Sequence, residues 1–410
     1  MFQKEIKVYG YRWVVLIVFA LIQFGFHTLW STFLPITGDA SAFYNVTPLA
    51  IGFLAMMFMI VYVFASLPCS WIISCYGIRK GVGLGVITMG IFGLLRGVFG
   101  ENYTGVVICT VALSLAQPLI VNSITTVTAR WFPVDERATA TGIALLAQFI
   151  GIMAGMVITP FLAKAVGIKT TLLYYGGFVA VLCVLFILIY REHPPTRPSL
   201  TEEENEPLNM REGLKNIFKT HDAILILIIF SIGLAIFNTV STWIEQILAP
   251  RGFTSIQAGS LGGVMMLGAI LGCILLSIIS DKTGKRKVFI LTGMLVMIPC
   301  LLGITFFKTF SIILVVGGIL GFFQLGLAPI IMEAAADISR PSTEATIQGV
   351  LLMFGQGLSV IMIFLTDFFR SKSGAMTPFL LVFTCMIVLN LIIASRLSET
   401  RIQEKKSSTI

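Results

Sequence analysis

The chain has 410 residues, of which 57% are hydrophobic and 12% charged, with a mean hydropathy of +0.95. Such a composition excludes an ordinary soluble domain and a disordered chain alike. The net charge of +8 would suggest a polyanionic partner only if the cations clustered, and they follow loop position instead.

Apolar runs long enough to cross about 30 Å of hydrocarbon cover 13–37, 47–74, 79–99, 105–131, 138–164 and 170–190. After a polar stretch come 222–249, 255–281, 286–306, 310–337, 341–369 and 375–396. This pattern predicts an all-α membrane protein with twelve transmembrane helices in two pseudo-symmetric six-helix bundles, 1–190 and 222–396. A cytoplasmic linker, 191–221, joins them, and a polar cytoplasmic tail, 397–410, follows. With the N-terminus inside, Arg96, Lys164, Lys169, Arg251, Lys308, Arg370 and Lys372 fall at the outer ends, and the other 21 of the 28 Lys and Arg lie on the inner side. Positive-inside bias accounts for that ratio. Both termini are expected in the cytoplasm, with the chain multi-pass in the plasma (inner) membrane, monomeric, and without a nucleic-acid partner. The first span is too long for a cleaved signal and is expected to be retained.

The halves are related by sequence. ARWFPVDERATATGIALLAQ (Ala129 to Gln148) is matched by DISRPSTEATIQGVLLMFGQ (Asp337 to Gln356) at an offset of 208, which pairs Pro133 with Pro341, Glu136 with Glu344 and Gln148 with Gln356. The same offset carries Trp30 onto Asn238. A fixed period near half the chain length is the mark of a duplicated membrane unit, the construction of many transporters.

In the first span, Gln23, His27 and Trp30 are spaced i, i+4 and i+7 and share a face. Polar groups are costly against lipid, so that face is expected to look into the bundle or a water-filled cavity. Trp30 lies about seven residues, roughly 10 Å, short of the outer end, which favours a cavity position over an interfacial belt. His27 reads as a hydrogen-bonded structural residue or as a proton carrier. Between the second and third spans lies SCYGIRKG, Ser74 to Gly81; its copy SDKTGKRK, Ser280 to Lys287, adds Asp281 and Arg286. Arg96 ends the third span and reads as an arginine snorkelling to the outer interface rather than one recognising an anion. Gln117 and Asn122 flank Pro118 in the fourth span, either as a polar pair or as separate helix–helix hydrogen-bonding groups. Glu136 and Arg137 open the fifth span, where the helix dipole favours the acid, and Gln148 falls near mid-membrane.

Met210 to Lys219, within the polar linker, reads as a short amphipathic helix. The seventh span offers Asn238, Thr242 and Glu245, again on one face. Glu245 either faces an outer vestibule or sits at the interface beside Arg251. Gln324, Glu333 and Asp337 follow in the tenth span and Gln356 in the eleventh. The seven scattered cysteines read as inert apolar filler.

No phosphate loop, nucleophilic triad or metal-ligand spacing is present, so neither an enzyme nor a cofactor is expected. The deepest polar groups are amides, hydroxyls and an indole. They favour a small neutral or cationic solute, held by amide and aromatic contacts. The competing reading is a proton-coupled carrier of a metabolite, organic acid or siderophore- or haem-like compound, using His27 or Glu245. A non-transporting membrane receptor is a third.

Ser280 to Lys287 resembles the Asp-x-x-Gly-[Arg/Lys]-[Arg/Lys] loop of the major facilitator superfamily. YRWVVLIVF (Tyr11 to Phe19), SLAQPLIVN (Ser114 to Asn122), ARWFPVDERATA, VSTWIEQ (Val240 to Gln246) and PIIMEAAADISRPSTEAT (Pro329 to Thr346) are similar to the feline leukaemia virus subgroup C receptor family within it. That resemblance implies a facilitator for choline or ethanolamine, with haem also proposed as cargo, working by alternating access. It implies an inner gate latch at Asp281 and Arg286, to which Glu136, Arg137, Glu333 and Glu344 are added as gating residues. The first copy of the loop lacks the acid. The family's ammonium site is a helix 1 Trp, a helix 5 Gln, a helix 11 Gln and a helix 7 Tyr. The first three match Trp30, Gln148 and Gln356; the fourth falls on Asn238, which removes one wall of an aromatic cage. Gln117, Asn122, Gln324 and His27 complete the expected substrate-facing set.

Overall fold

The computed structural model describes residues 8–196, 215, 218–338, 344–370 and 376–397. Among the described residues, twelve helical spans are long and apolar enough to cross a membrane: α1 (Tyr11–Tyr44), α2 (Pro48–Ile73), α3 (Ile78–Val98), α4 (Tyr103–Trp131), α5 (Asp135–Val166), α6 (Ile168–Ile189), α7 (His221–Thr242), α8 (Ser255–Ser280), α9 (Arg286–Phe306), α10 (Phe310–Ala335), α11 (Ile347–Phe368) and α12 (Thr377–Ser395). They alternate in direction, so one end of the bundle carries the start of α1 and the finish of α12. We call that the terminal end and the opposite one the distal end. The halves meet along two seams, α5 on α8 and α2 on α11. The amphipathic helix expected over Met210–Lys219 falls almost wholly outside the described residues, as does the tail beyond Leu397.

Four spans are interrupted, and they form two duplicated pairs, α1 with α7 and α4 with α10. The helix of α1 runs from Tyr11 to Ser31, then gives way to a 3-10 turn (Leu34–Ile36) and a short helix (Thr37–Tyr44). In α4 the segments are Tyr103–Ser114, Ala116–Val121 and Ile124–Trp131. Helix α10 breaks at Leu327, between Phe310–Gly326 and Ala328–Ile338. In these three spans the cause is visible in the sequence: Pro35, Pro118 and Pro329 have no N–H to offer four residues back, and the segments end at or next to Ser31, Ser114 and Leu325. The orphaned Leu325 carbonyl accepts a hydrogen bond from Cys273 Sγ at 3.3 Å. Cys273 therefore has a bonding role where only apolar filler was expected. The α7 interruption, at Trp243, has no such proline; a five-residue segment, Ile244–Leu248, continues beyond it.

Buried glycines let the helices within each half approach closely. A side chain on Gly97 would come within 2.5 Å of the Leu173 backbone, and one on Gly176 within 2.5 Å of the Gly93 carbonyl, so α3 and α6 touch backbone to backbone. Leu84, Ile91, Val181, Leu188 and Val315, by contrast, are exposed and form part of the apolar outer surface.

Candidate functional site

The first polar cluster grows from the break in α4. Where the helix is interrupted at Asn122 and Ser123, the carbonyl of Ile120 accepts from Ser123 Oγ at 2.9 Å and from Gln23 Nε2 of α1 at 3.1 Å. Gln23, fully buried, turns its other end to α5, where Gln148 Nε2 donates to Gln23 Oε1 at 3.4 Å. Gln148 shares a helix face with Gly151 and Gly155, both pressed against α1. It is half-buried, not immersed in apolar packing.

The second cluster is its counterpart across the duplication. Asn238 of α7, 3% exposed, donates from Nδ2 to Gln356 Oε1 at 3.1 Å and to Ser359 Oγ at 2.9 Å. Ser359 in turn donates to the Gly355 carbonyl at 2.7 Å. Gln356 is half-buried, as Gln148 is. In each half, then, a mid-membrane glutamine of the fifth span is tied to a buried amide of the first. Trp30 is 8% exposed and is the next-to-last residue of the first α1 segment. No hydrogen bond joins it to either glutamine among the described residues.

Other expected site residues are placed differently. Gln117 and Asn122 do not bond to each other. Asn122 accepts from Tyr62 Oη at 2.9 Å and donates to Ser66 and Ser70 Oγ at 3.0 Å each, a polar seam between α2 and α4. The Oε1 atoms of Gln117 and Gln324 are buried without a partner, and Gln324 Nε2 reaches the Gly233 carbonyl of α7 at 3.4 Å. His27 is buried, its Nδ1 2.8 Å from the Gln23 carbonyl one turn back. Arg96 is not at an interface: at 1% exposure it donates to the Leu29 carbonyl at 3.0 Å and Thr32 Oγ1 at 3.3 Å and lies over the Phe33 ring. It supplies a cation to the negative end of the first α1 segment, where carbonyls lack helical partners. The long side chain folds inward because that capping position lies inside the bundle.

Glu245 is 6% exposed and does not pair with Arg251, which bonds instead to the carbonyls of Phe307 and Ile247. Its carboxylate accepts from the Gly38 N–H, at the start of the last α1 segment. This contact crosses between the halves at the distal end. Beside it the Trp243 indole lies against Gly52 of α2, and Met156 of α5 lies against Gly259 and Gly262 of α8.

At the terminal end, Arg12 holds Glu136 through two bonds, at 2.8 and 3.0 Å, and Arg137 Nε donates to the Phe132 carbonyl at 3.2 Å. Arg286 pairs with Glu333 at 3.1 Å and with Asp337. The side chains of Asp281 and Glu344 are outside the described set. The acid missing from the first loop copy is supplied from elsewhere. Glu192, just past α6, accepts from the N–H groups of Ile78 and Arg79 at the start of α3 and pairs with Arg130. Sequence reading passed over Glu192 because it falls in the polar linker. Ser66 and Ser70 were legible, since with Tyr62 they form an i, i+4, i+8 stripe. Ser359, three residues after Gln356, was equally so. Among the described residues no group of three His, Cys, Asp or Glu side chains could hold a metal ion.

The chain is 28% identical over 363 residues to solute carrier family 49 member A3 of Danio rerio, covering 85% of this chain and 76% of that one. It is 28% identical over 368 residues to the choline/ethanolamine transporter FLVCR1 of Felis catus, covering 83% and 64%. With the human choline/ethanolamine transporter FLVCR2 it shares 24% over 379 residues, covering 87% and 71%. Its fold superposes on a bacterial homologue of the human lysosomal transporter Spinster, in an inward-facing and unoccupied conformation, with a TM-score of 0.73, 14% identity and coverage of 95% and 96%. The human organic anion transporter MFSD10 gives a TM-score of 0.68 at 12% identity, covering 93% and 99%. The family model of the Major Facilitator Superfamily matches residues 15–363 and 225–408, and the chain is a membrane transport protein of that superfamily.

Proposed function

We propose that this chain carries a small organic cation, an amine or quaternary ammonium, across the membrane by alternating access, with Trp30, Gln148, Asn238 and Gln356 contacting the solute. The observation that carries this reading is the matched pair of half-buried glutamines, each anchored to the innermost span of its half. The aromatic face of Trp30 adds attraction for a cation, and relatives matched over 83% and 87% of this chain are choline/ethanolamine transporters by name. The terminal end is assigned to the cytoplasm by the Lys and Arg excess there. Uptake of radiolabelled ethanolamine and choline into proteoliposomes tests the reading. Saturable uptake that Trp30→Ala lowers by about tenfold or more, the scale of a lost cation–π contact in a desolvated site, supports it; uptake indifferent to Trp30→Ala removes this site.

A proton-linked cycle is a second reading, favoured by the carboxylate of Glu245 buried in the contact between halves. Uptake driven by an imposed pH gradient and lost in Glu245→Gln would support it. Uptake blind to that gradient would exclude it.

A further inference from the structure

We infer that the two duplicated glutamines present opposite chemistry to the solute, Gln148 an acceptor and Gln356 a donor, so that the site selects a molecule with N–H groups at one end and an acceptor oxygen at the other. This inference rests on the solute site proposed above. The orientation of an amide is fixed by what its partners can do, not by electron count. A carbonyl only accepts, so the Ile120 carbonyl requires the NH2 of Gln23. That leaves Gln23 Oε1 facing α5, and Gln148 must turn its own NH2 toward it. Gln148 Oε1 is then left over. In the other half the chain of requirements runs the opposite way. Ser359 has one proton and gives it to the Gly355 carbonyl, so its Oγ accepts from Asn238 Nδ2. The second Asn238 N–H meets Gln356 Oε1, and Gln356 Nε2 is left over with both its protons. Among the described residues neither Gln148 Oε1 nor Gln356 Nε2 has a partner, although both side chains are half-buried.

Residues made equivalent by duplication have thus been polarised against each other by their neighbours. Asn238 is what does it, because its Nδ2 donates both to Ser359 Oγ and to Gln356 Oε1. A primary ammonium can donate to Gln148 Oε1 while a hydroxyl or carbonyl oxygen elsewhere on the same molecule accepts from Gln356 Nε2. A quaternary ammonium has no N–H to give, and its methyl groups would leave the Gln148 oxygen unpaired, which costs more than the bond itself was worth.

Three probes separate the two ends on the full-length protein in nanodiscs: ethanolamine, choline, which lacks N–H, and ethylamine, which lacks the oxygen. Affinities are measured for wild type, Gln148→Ala and Gln356→Ala, and read as coupling cycles. We expect choline to bind wild type roughly tenfold more weakly than ethanolamine, the scale of one charge-assisted hydrogen bond. That penalty should shrink to about threefold or less in Gln148→Ala and persist in Gln356→Ala. The ethylamine penalty should shrink in Gln356→Ala alone. A shape-preserving variant keeps the test independent of folding: Gln356→Glu, which keeps an acceptor for Asn238 and replaces the free donor by an acceptor, should lose ethanolamine binding. Choline binding as well as ethanolamine, or the couplings reversed or equal, overturns the inference while leaving the site intact. No binding of any probe to wild type, or binding untouched by Trp30→Ala and both glutamine variants, overturns the site itself.

Discussion

The two ends of the bundle are held in different ways. At the distal end, beside the ion pairs Glu101 with Lys169 and Asp367 with Arg370 inside each half, some contacts cross between halves: the Glu245 carboxylate on the Gly38 N–H, the Trp243 ring on Gly52, and Met156 against Gly259 and Gly262. At the terminal end the ion pairs among the described residues stay within one half, Arg12 with Glu136 and Arg130 with Glu192 in the first, Arg286 with Glu333 and Asp337 in the second. The crossing contacts must break if the halves part distally. Those inside one half survive any rigid movement of one half against the other. A carrier that alternates needs both kinds, one that scores the closed state and one that keeps each half a rigid body while it moves.

Removing Trp243 should break that comparison most severely. Its ring is fully buried, packs across the interface on Gly52, and donates from Nε1 to the Ile363 carbonyl at 3.2 Å. Trp243→Ala should cost about 3–5 kcal/mol of stability and loosen the distal end with it. A thermal-unfolding scan of the purified protein measures the first effect, and labelling of a cysteine placed at the distal tip of α2 measures the second. An unchanged Tm would mean that the ring is not a principal contact between the halves.

Glu192 probes the opposite end. Glu192→Ala leaves Arg130 without its carboxylate and the Ile78 and Arg79 N–H groups without their cap, for a loss of about 1–2 kcal/mol at this half-exposed position. Glu192→Gln keeps an acceptor for the helix start and gives up only the ion pair, so it should cost about 1 kcal/mol or less. Because the contact lies inside one half, both variants should lower Tm without changing distal labelling. A change in distal labelling would show that the two kinds of contact are coupled.

How much of this could be read from the sequence depended on whether the signal was local. The twelve spans were legible because apolar length is a local property, and the duplication because a 208-residue offset pairs Pro133 with Pro341, Glu136 with Glu344 and Gln148 with Gln356. The helix breaks were half-legible: Pro118 and Pro329 mark theirs, whereas Trp243 breaks α7 with no proline or glycine at the break. Arg96 was misread for a physical reason. Near a span end an arginine can turn outward or inward, and only the position of α1 behind it, with a bare carbonyl at Leu29, decides. Glu192 was invisible for a similar reason, since nothing in the linker tells that α6 delivers it to the start of α3. The site glutamines were found by their repeat, but their opposed polarity comes from Ile120, Ser359 and Asn238, partners 97, 121 and 118 residues away from the groups they orient.

The smallest effect is the most specific. Glu245→Gln keeps an oxygen where the Gly38 N–H expects one but removes the charge that roughly doubles such a bond, so about 1 kcal/mol should be lost from the distally closed state. Because the bond exists only when the halves meet distally, the loss should appear as a shift in population, about fivefold toward the distally open state, with overall Tm nearly unchanged. Single-molecule energy transfer between dyes on the distal ends of α2 and α8 reads that population directly. Glu245→Ala, which strands the Gly38 N–H, should shift it further. If both variants leave the population where wild type has it, the Gly38 contact is a bystander, and Trp243 and Met156 alone hold the distal end shut.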